Sequence, residues 1–282
     1  MLLGVLAAAT GVSSAMSESA PPDPFADSDA DPSNGASYVD VKVSMDYAGF
    51  TPGETTLVGL TFFVADGWHT YWPGLSDTGF GVMLKTDAPD ELSVGDPIWP
   101  TPSRYLLPGD ILDHVYEHEF TVLIPMTLDE DAEPGTPMTI TTDISYLVCK
   151  EMCLPGSVSI EYGGYALDPT LPRPKASEHH DKLHKVYSER ALPLKGERPD
   201  ARVTISEDRA TIFVPGASEL MFYPSRDCVE MTSLIADGVS DSDTLTLHIE
   251  PTIGGTLEGR LEVVDQQGAS RAYTVRVPAI AE

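Results

Sequence analysis

Tyr38-Val39-Asp40-Val41-Lys42-Val43-Ser44-Met45-Asp46-Tyr47 alternates apolar with polar side chains. A strand sends successive side chains to opposite faces, so a period of two marks a strand buried on one face only. Shorter stretches of similar character follow at 54–65, 67–72, 82–87, 118–125, 137–147 and 157–162. Turn signals separate them, among them Thr51-Pro52-Gly53, Ala65-Asp66-Gly67 and Glu133-Pro134-Gly135. Many short strands with little helical periodicity predict an all-β chain, with an immunoglobulin-like β-sandwich over 38–168. Residues 169–176 hold three prolines and open a Pro-rich linker with a helix, 169–196. Ser177 to Leu192 is the helix candidate: Ser177 can cap it, Leu183, Val186 and Tyr187 share a face, and Pro193 stops it. Strand patterns resume at 201–206, 210–214, 219–223, 243–250, 258–265 and 271–278, with turns at Glu207-Asp208 and Gln266-Gln267-Gly268. They predict a second, smaller β domain over 197–282.

Ahead of the first strand lie two segments of different character. Leu2 to Val12 is apolar, and Ser13-Ser14-Ala15 offers small residues where a signal peptidase cuts. Residues 1–15 are expected to be a signal peptide, which places the mature chain in the periplasm or otherwise outside the cytoplasm. Residues 16–37 carry acids, prolines and no base, and are expected to form a disordered acidic tether.

The charge balance narrows the partners. Against 17 basic residues stand 44 acidic ones, a net charge of −27. Such a chain repels phosphate backbones and anionic membrane surfaces, so no nucleic-acid partner is expected. No apolar run reaches the ~18 residues of a spanning helix, so no membrane span is expected. The sequence has no Walker loop, dinucleotide fingerprint or Gly-x-Ser-x-Gly elbow, and no cofactor is assigned.

Chemistry, if present, rests on the cysteines. Cys149 and Cys153 stand four apart in Val148-Cys149-Lys150-Glu151-Met152-Cys153-Leu154-Pro155-Gly156. Along a continuous strand they would be ~13 Å apart, too far to bridge. A bridge requires the backbone to reverse or coil at Lys150 to Met152. A loop that short constrains the unfolded chain by only about 2 kcal/mol, so the bridge would be a weak staple. Lys150 favours a thiolate beside it and Glu151 opposes one. Three readings stay open on spacing alone: a redox-active disulfide, a small structural bridge, or half of a metal site.

The same segment resembles the cysteine region in the periplasmic N-terminal domain of DsbD-type thiol:disulfide interchange proteins, in particular the ScsB-like branch. Gly67-Trp68-His69-Thr70-Tyr71-Trp72 with Gly74 to Gly79, Ile98-Trp99-Pro100-Thr101-Pro102, and His114-Val115-Tyr116-Glu117-His118-Glu119 fall in that family's order. Met221-Phe222-Tyr223-Pro224, Leu257-Glu258-Gly259-Arg260-Leu261 and Arg271-Ala272-Tyr273-Thr274-Val275 resemble the domain that follows in that branch. The likeness spans about 38–280, and its first half is the more specific. It implies an immunoglobulin-like domain whose Cys149 and Cys153 exchange disulfides with thioredoxin-fold periplasmic proteins. One cysteine attacks and the other resolves. The family's transmembrane and thioredoxin-like domains have no counterpart in this sequence, so a separate membrane electron donor is expected. Tyr71, Trp72 and Tyr146 are candidates to shield the pair, the alternative being that they are core aromatics. Two other functions compete: a non-catalytic cell-envelope binding module with a structural disulfide, and an accessory of copper tolerance or cytochrome c biogenesis by family analogy.

The remaining candidates carry blander readings. Cys228 is the odd cysteine: a buried side chain, a free thiol or an intermolecular link. An extended backbone would hold His114 and His118 apart. His180 and His184 share a helix face at metal-clip spacing, but the favoured reading is an exposed polar helix. His69 is assigned no catalytic role, and no metal site is assigned.

Overall fold

The computed structural model of the protein describes residues 31, 33–250 and 252–279. The expected signal peptide and most of the expected tether lie outside them. The end of the tether segment is folded: Gly35–Tyr38 form a 3-10 turn capped by Asn34, whose Oδ1 accepts from the Ala36 amide. Gly35 is buried against the backbone of Leu154 and Pro155.

The first sandwich is built from β1 (Val39–Met45), β2 (Thr55–Val64), β3 (His69–Tyr71), β4 (Met83–Asp87), β5 (Leu92–Val94), β6 (Ser103–Leu107), β7 (Ile111–Glu117), β8 (Glu119–Leu128), β9 (Pro137–Cys149) and β10 (Cys153–Tyr165). One sheet has the order β1-β2-β8-β5. The other runs β10-β9-β3-β7-β6, with β4 also paired to β9. Val58, Leu60, Phe62, Val122, Ile124, Ile140, Ile144 and Val148 fill the space between them. The architecture is the immunoglobulin-like sandwich that the alternating pattern predicts.

The strand expected at 118–125 is β8, which begins one residue later and runs on to Leu128. His118 adopts φ 58°, and there the chain leaves β7 in one sheet to enter β8 in the other. His114 is fully buried and His118 is exposed, so the two imidazoles point to different environments. The β6–β7 hairpin, unmarked by alternation, turns through Pro108, Gly109 (φ 96°) and Asp110 (φ 58°), with Leu107 facing Ile111.

Helix α1 (His180–Ser188) is shorter than the predicted 177–192. Its N-cap is His179 and not Ser177; Ser177 stands three residues before the helix, where its Oγ accepts from the His179 amide and donates to the Met45 carbonyl. Past Glu189 the chain is drawn into a sheet, as β11 (Leu192–Pro193). Leu183 of α1 packs against Leu57 and Leu123 on the outer face of the four-stranded sheet. Gly59 makes room for it, since a Cβ there would collide with the Leu183 methyl.

After α2 (Leu194–Glu197), a second sandwich comprises β12 (Arg202–Ser206), β13 (Arg209–Phe213), β14 (Ala217–Pro224), β15 (Glu230–Met231), α3 (Leu234–Asp237), β16 (Val239–Ser240), β17 (Thr244–Glu250), β18 (Thr256–Asp265) and β19 (Ser270–Pro278). Sheets β11-β19-β18-β14-β16 and β12-β13-β17-β15 enclose Ile212, Leu220, Phe222, Leu247, Leu257 and Leu261. Met221 and Tyr223 on β14 face the other way and join the first sandwich's core. Arg104 donates to the Leu234 and Ile235 carbonyls at 3.2 and 3.0 Å. Arg260 donates to the Pro100 carbonyl with its guanidinium over the Trp72 ring. Among the described residues no helix is long and apolar enough to cross a membrane.

Burial lowers the Arg260 pKa, so the cation depends on its contacts across the junction. Arg260→Ala is expected to cost about 1.5–3 kcal/mol, the range for a hydrogen bond to a charged group. Urea unfolding should then resolve into two transitions, one per sandwich, where the parent chain shows coupled unfolding.

Candidate functional site

β9 and β10 form a hairpin in which Cys149 faces Cys153 directly, with Lys150, Glu151 and Met152 as the reversal. The Cα atoms are 4.1 Å apart and the two sulfurs form a disulfide. This is the turn geometry that a bridge over four positions requires. The Lys150 amide closes the tip by donating to the Met152 carbonyl at 3.2 Å.

The two sulfurs sit in unlike surroundings. Cys149 is buried and Cys153 is exposed. Cys149 also pairs across to His69 on β3, because β9 lies between β10 and β3. Positions of equal parity share a face, so His69, Tyr71, Leu147 and Cys149 line the outer face of the six-stranded sheet. Tyr71, Val115 and Cys149 form a small buried cluster there, with Tyr105 and Leu147 against it. The Tyr71 hydroxyl lies 3.2 Å from Cys149 Sγ and 3.8 Å from Cys153 Sγ. His69 packs edge-on to Tyr71 and against Tyr105, with ring centroids 5.4 and 4.7 Å away.

The segment 73–81 covers this cluster. Gly79 lies flat on the Tyr71 ring, where any Cβ would overlap the ring atoms. Thr78 stands 3.4 Å from the Tyr71 hydroxyl and is clamped by Asp113, which accepts from its amide at 3.0 Å and its hydroxyl at 2.5 Å. Burial raises the Tyr71 pKa, so the phenol keeps its proton throughout the neutral range and can donate to sulfur. Burial lowers the His69 pKa, which keeps that imidazole neutral, and its Nε2 is buried without a hydrogen-bond partner.

Of the three aromatics expected to shield the pair, Tyr71 touches it and the other two do not. Trp72 and Tyr146 have the opposite parity and lie in the core between the sheets. Trp72 packs edge-on to His114 and Tyr223, and the Tyr146 hydroxyl donates to the Val39 carbonyl. His69, Tyr105, Thr78 and Asp113 complete the site without having been marked by the sequence. Strand parity alone would have found His69, two residues before Tyr71. The other three arrive by tertiary contact.

Elsewhere, Cys228 is a partly buried free thiol that accepts from the Glu258 amide at 3.3 Å. Burial pushes its pKa up to about 11, which makes it a poor nucleophile at neutral pH. His180 and His184 do share a face of α1, and Asp46 of the loop after β1 meets them.

The architecture is an immunoglobulin-like sandwich that carries a cross-hairpin disulfide on its outer face. Residues 39–163 match the family model "Thiol:disulfide interchange protein DsbD, N-terminal". The chain thus carries a DsbD-type N-terminal domain over those residues. Across 88% of this chain and 96% of the other, the fold matches the N-terminal periplasmic domain of ScsB from Proteus mirabilis, with a TM-score of 0.54 and 16% identity. The reduced DsbD N-terminal domain of Neisseria meningitidis also aligns, over 45% of this chain and 86% of its own, with 22% identity and a TM-score of 0.30. No curated protein matches the chain.

Two outcomes are expected from this geometry. Removing the phenol donor with Tyr71→Phe should raise the Cys149 thiol pKa in the reduced protein by about one to two pH units, the equivalent of one charge-assisted hydrogen bond. The absorbance of the thiolate against pH, in a Cys228→Ser background, reads this directly. The second outcome concerns pH. The folded chain holds His69 below its ordinary 6.5, so beneath that pH the unfolded chain binds more protons. Stability should therefore fall as pH drops below about 6.5. His69→Gln should flatten the slope of the urea midpoint between pH 6.5 and 5, leaving the share contributed by His114, whose pKa burial also lowers. Asp31, Asp168 and Asp200, all held below 3.8 by hydrogen bonds, lose their contribution only in more acid solution.

Proposed function

We propose that this protein is an exported thiol:disulfide interchange module that works through Cys149 and Cys153. The observation that carries the proposal is the asymmetry of the bridge: one sulfur open to solvent, the other buried under a phenol donor, in a domain of the DsbD N-terminal type. Its partners are thioredoxin-fold proteins of the periplasm, recharged by a separate membrane electron donor. The periplasmic description of the ScsB domain supports that location.

Exchange follows from which sulfur can be reached. In the reduced module Cys153 is the attacking thiol. Its thiolate forms a bond to one sulfur of a partner disulfide and expels the other partner sulfur as a thiolate. Cys149, deprotonated beneath Tyr71, then attacks Cys153 Sγ and releases the second partner sulfur. The partner leaves as a dithiol with two electrons gained, and the module is left with the Cys149–Cys153 bridge. Recharging runs the same steps in reverse. A donor thiolate attacks the exposed Cys153 Sγ, and Cys149 departs as a thiolate stabilised by the Tyr71 hydroxyl. A buried leaving group with a donor already in place lowers the barrier without needing a basic side chain.

Two measurements test the assignment. Cys149→Ala should accumulate mixed disulfides with thioredoxin-fold proteins through Cys153, whereas Cys153→Ala should trap about tenfold less, because its remaining thiol is covered. Mass spectrometry of alkylated envelope extracts counts both. In a redox titration the pair should behave as one two-electron couple between roughly −280 and −120 mV, the span of thioredoxin-fold exchange proteins. A bridge still oxidised below about −300 mV would instead mark a structural disulfide and a binding module.

A further inference from the structure

Asp46, His180 and His184 bring one ligand atom each to within 4.8 Å of one another, beside the four-stranded sheet and not the six-stranded one that carries the disulfide. We infer that they form a binding site for a first-row divalent cation of the zinc, copper and nickel group. This inference does not rest on the exchange function.

The carboxylate is the fixed member. Asp46 is only 2% exposed, and among the described residues its one ion-pair partner is His184. Its Oδ1 accepts from the Leu57 amide at 3.0 Å, which orients the group and leaves Oδ2 facing α1. His184 Nε2 stands 3.1 Å from that oxygen. Ligand atoms that share a metal at ~2.0–2.2 Å lie roughly 3.0–3.5 Å apart, so this pair already has the right separation. His180 sits one turn earlier on the same face, with its ring centroid 4.1 Å from that of His184. Its Nδ1 is buried and has no hydrogen-bond partner. A hydrogen bond explains His184, but nothing in the fold explains an imidazole nitrogen turned inward beside a carboxylate.

The site is also pre-organised by contacts that leave the ligands' side-chain polar atoms free. The Ser177 amide donates to the Asp46 carbonyl at 2.9 Å and its hydroxyl to the Met45 carbonyl, which fastens the start of α1 to the end of β1. Leu183, between the two histidines, is wholly buried and sets the rotation of the helix. The Tyr47 ring stands edge-on to His180 at 5.2 Å, and Arg173 stacks on Tyr47 with its charge paired to Glu54 at 2.9 Å. His184 is exposed and His180 half-buried, so closing the triad asks only for side-chain adjustment on α1. Two imidazoles with one carboxylate favour borderline first-row ions over Ca2+ or Mg2+, and three protein ligands leave a coordination position to water. Bound metal would replace the His184–Asp46 contact and clamp α1 to the first sandwich.

The test uses the full chain with the Cys149–Cys153 bridge oxidised and Cys228→Ser, so that no thiolate competes. After chelation and dialysis it is titrated calorimetrically with Zn2+ alone at pH 7.5. One equivalent should bind, and the thermal midpoint should rise with it. His180→Ala/His184→Ala should abolish both effects, and Asp46→Asn should weaken binding at least tenfold, since even outer-sphere changes cost 10–100-fold in metal sites. Absence of saturable uptake by the parent chain would overturn the inference, as would unchanged uptake by the double histidine variant. That variant alters only residues on the helix surface and keeps Leu183, so it decides the matter if Asp46→Asn fails to fold. Because the bridge stays oxidised throughout, a negative result leaves the exchange proposal untouched, and an inert disulfide leaves the metal site untouched.

Discussion

The pairing of β9 with β10 is the constraint on which the site depends. Thirteen residues of each strand run antiparallel in unbroken register, from Cys149 opposite Cys153 to Pro137 opposite Tyr165. A slip by one residue would turn every side chain of a strand to the other face. Met138, Ile140, Ile144, Tyr146 and Val148 would leave the core, and Cys149 would enter it. The hydrophobic stake in those residues is therefore what places two sulfurs opposite each other. The short bridge itself could not enforce this, since closing so small a loop constrains the unfolded chain by only about 2 kcal/mol. Packing positions the cysteines, and the disulfide remains free to open without loss of the fold.

The same reasoning shows what could be read from the sequence. Period-two alternation exposes strands where the core is one-sided, as in β9 and most of the second sandwich. It is silent at His118, where the backbone passes from β7 in one sheet to β8 in the other through a left-handed residue. Hydrophobic patterning reports which side is buried and not which sheet does the burying. The Cys149–Cys153 pair was legible from spacing and a following Pro-Gly, and Tyr71 from its neighbourhood in the chain. Trp72 and Tyr146 looked equivalent to it only while parity was ignored. Tyr105, Thr78, Asp113 and Asp46 were beyond reach, since each meets its partners through a sheet or a loop that no local pattern records.

The cover over Cys149 is itself a product of the surrounding fold. Leu75 to Thr78 are held by backbone and side-chain hydrogen bonds along β7: the Leu75 carbonyl accepts from His114 Nδ1 at 2.6 Å, Ser76 Oγ accepts from the His114 amide, and Asp77 Oδ2 accepts from the Leu112 amide. A carbonyl can only accept, so Nδ1 of His114 carries the proton. Burial lowers the pKa of this imidazole and keeps it neutral. The Leu75 amide, in turn, donates to the Pro224 carbonyl at the end of β14 at 2.9 Å. The second sandwich thereby holds the near end of the segment whose far end, Gly79, rests on Tyr71.

That linkage gives the second sandwich a physical role in the site although it supplies no atom to the disulfide. A segment of Pro, Gly, Ser and Asp has little apolar surface of its own with which to stay in place. It is ordered here because its polar backbone is satisfied from both sandwiches at once. No matching cover forms over the other sulfur, where Met152 is 65% exposed beside Cys153. The first strand-to-strand turn after β9 is simply too short to fold back on itself. One sulfur is thus shielded by structure built from two domains, and the other is left open by a turn of three residues.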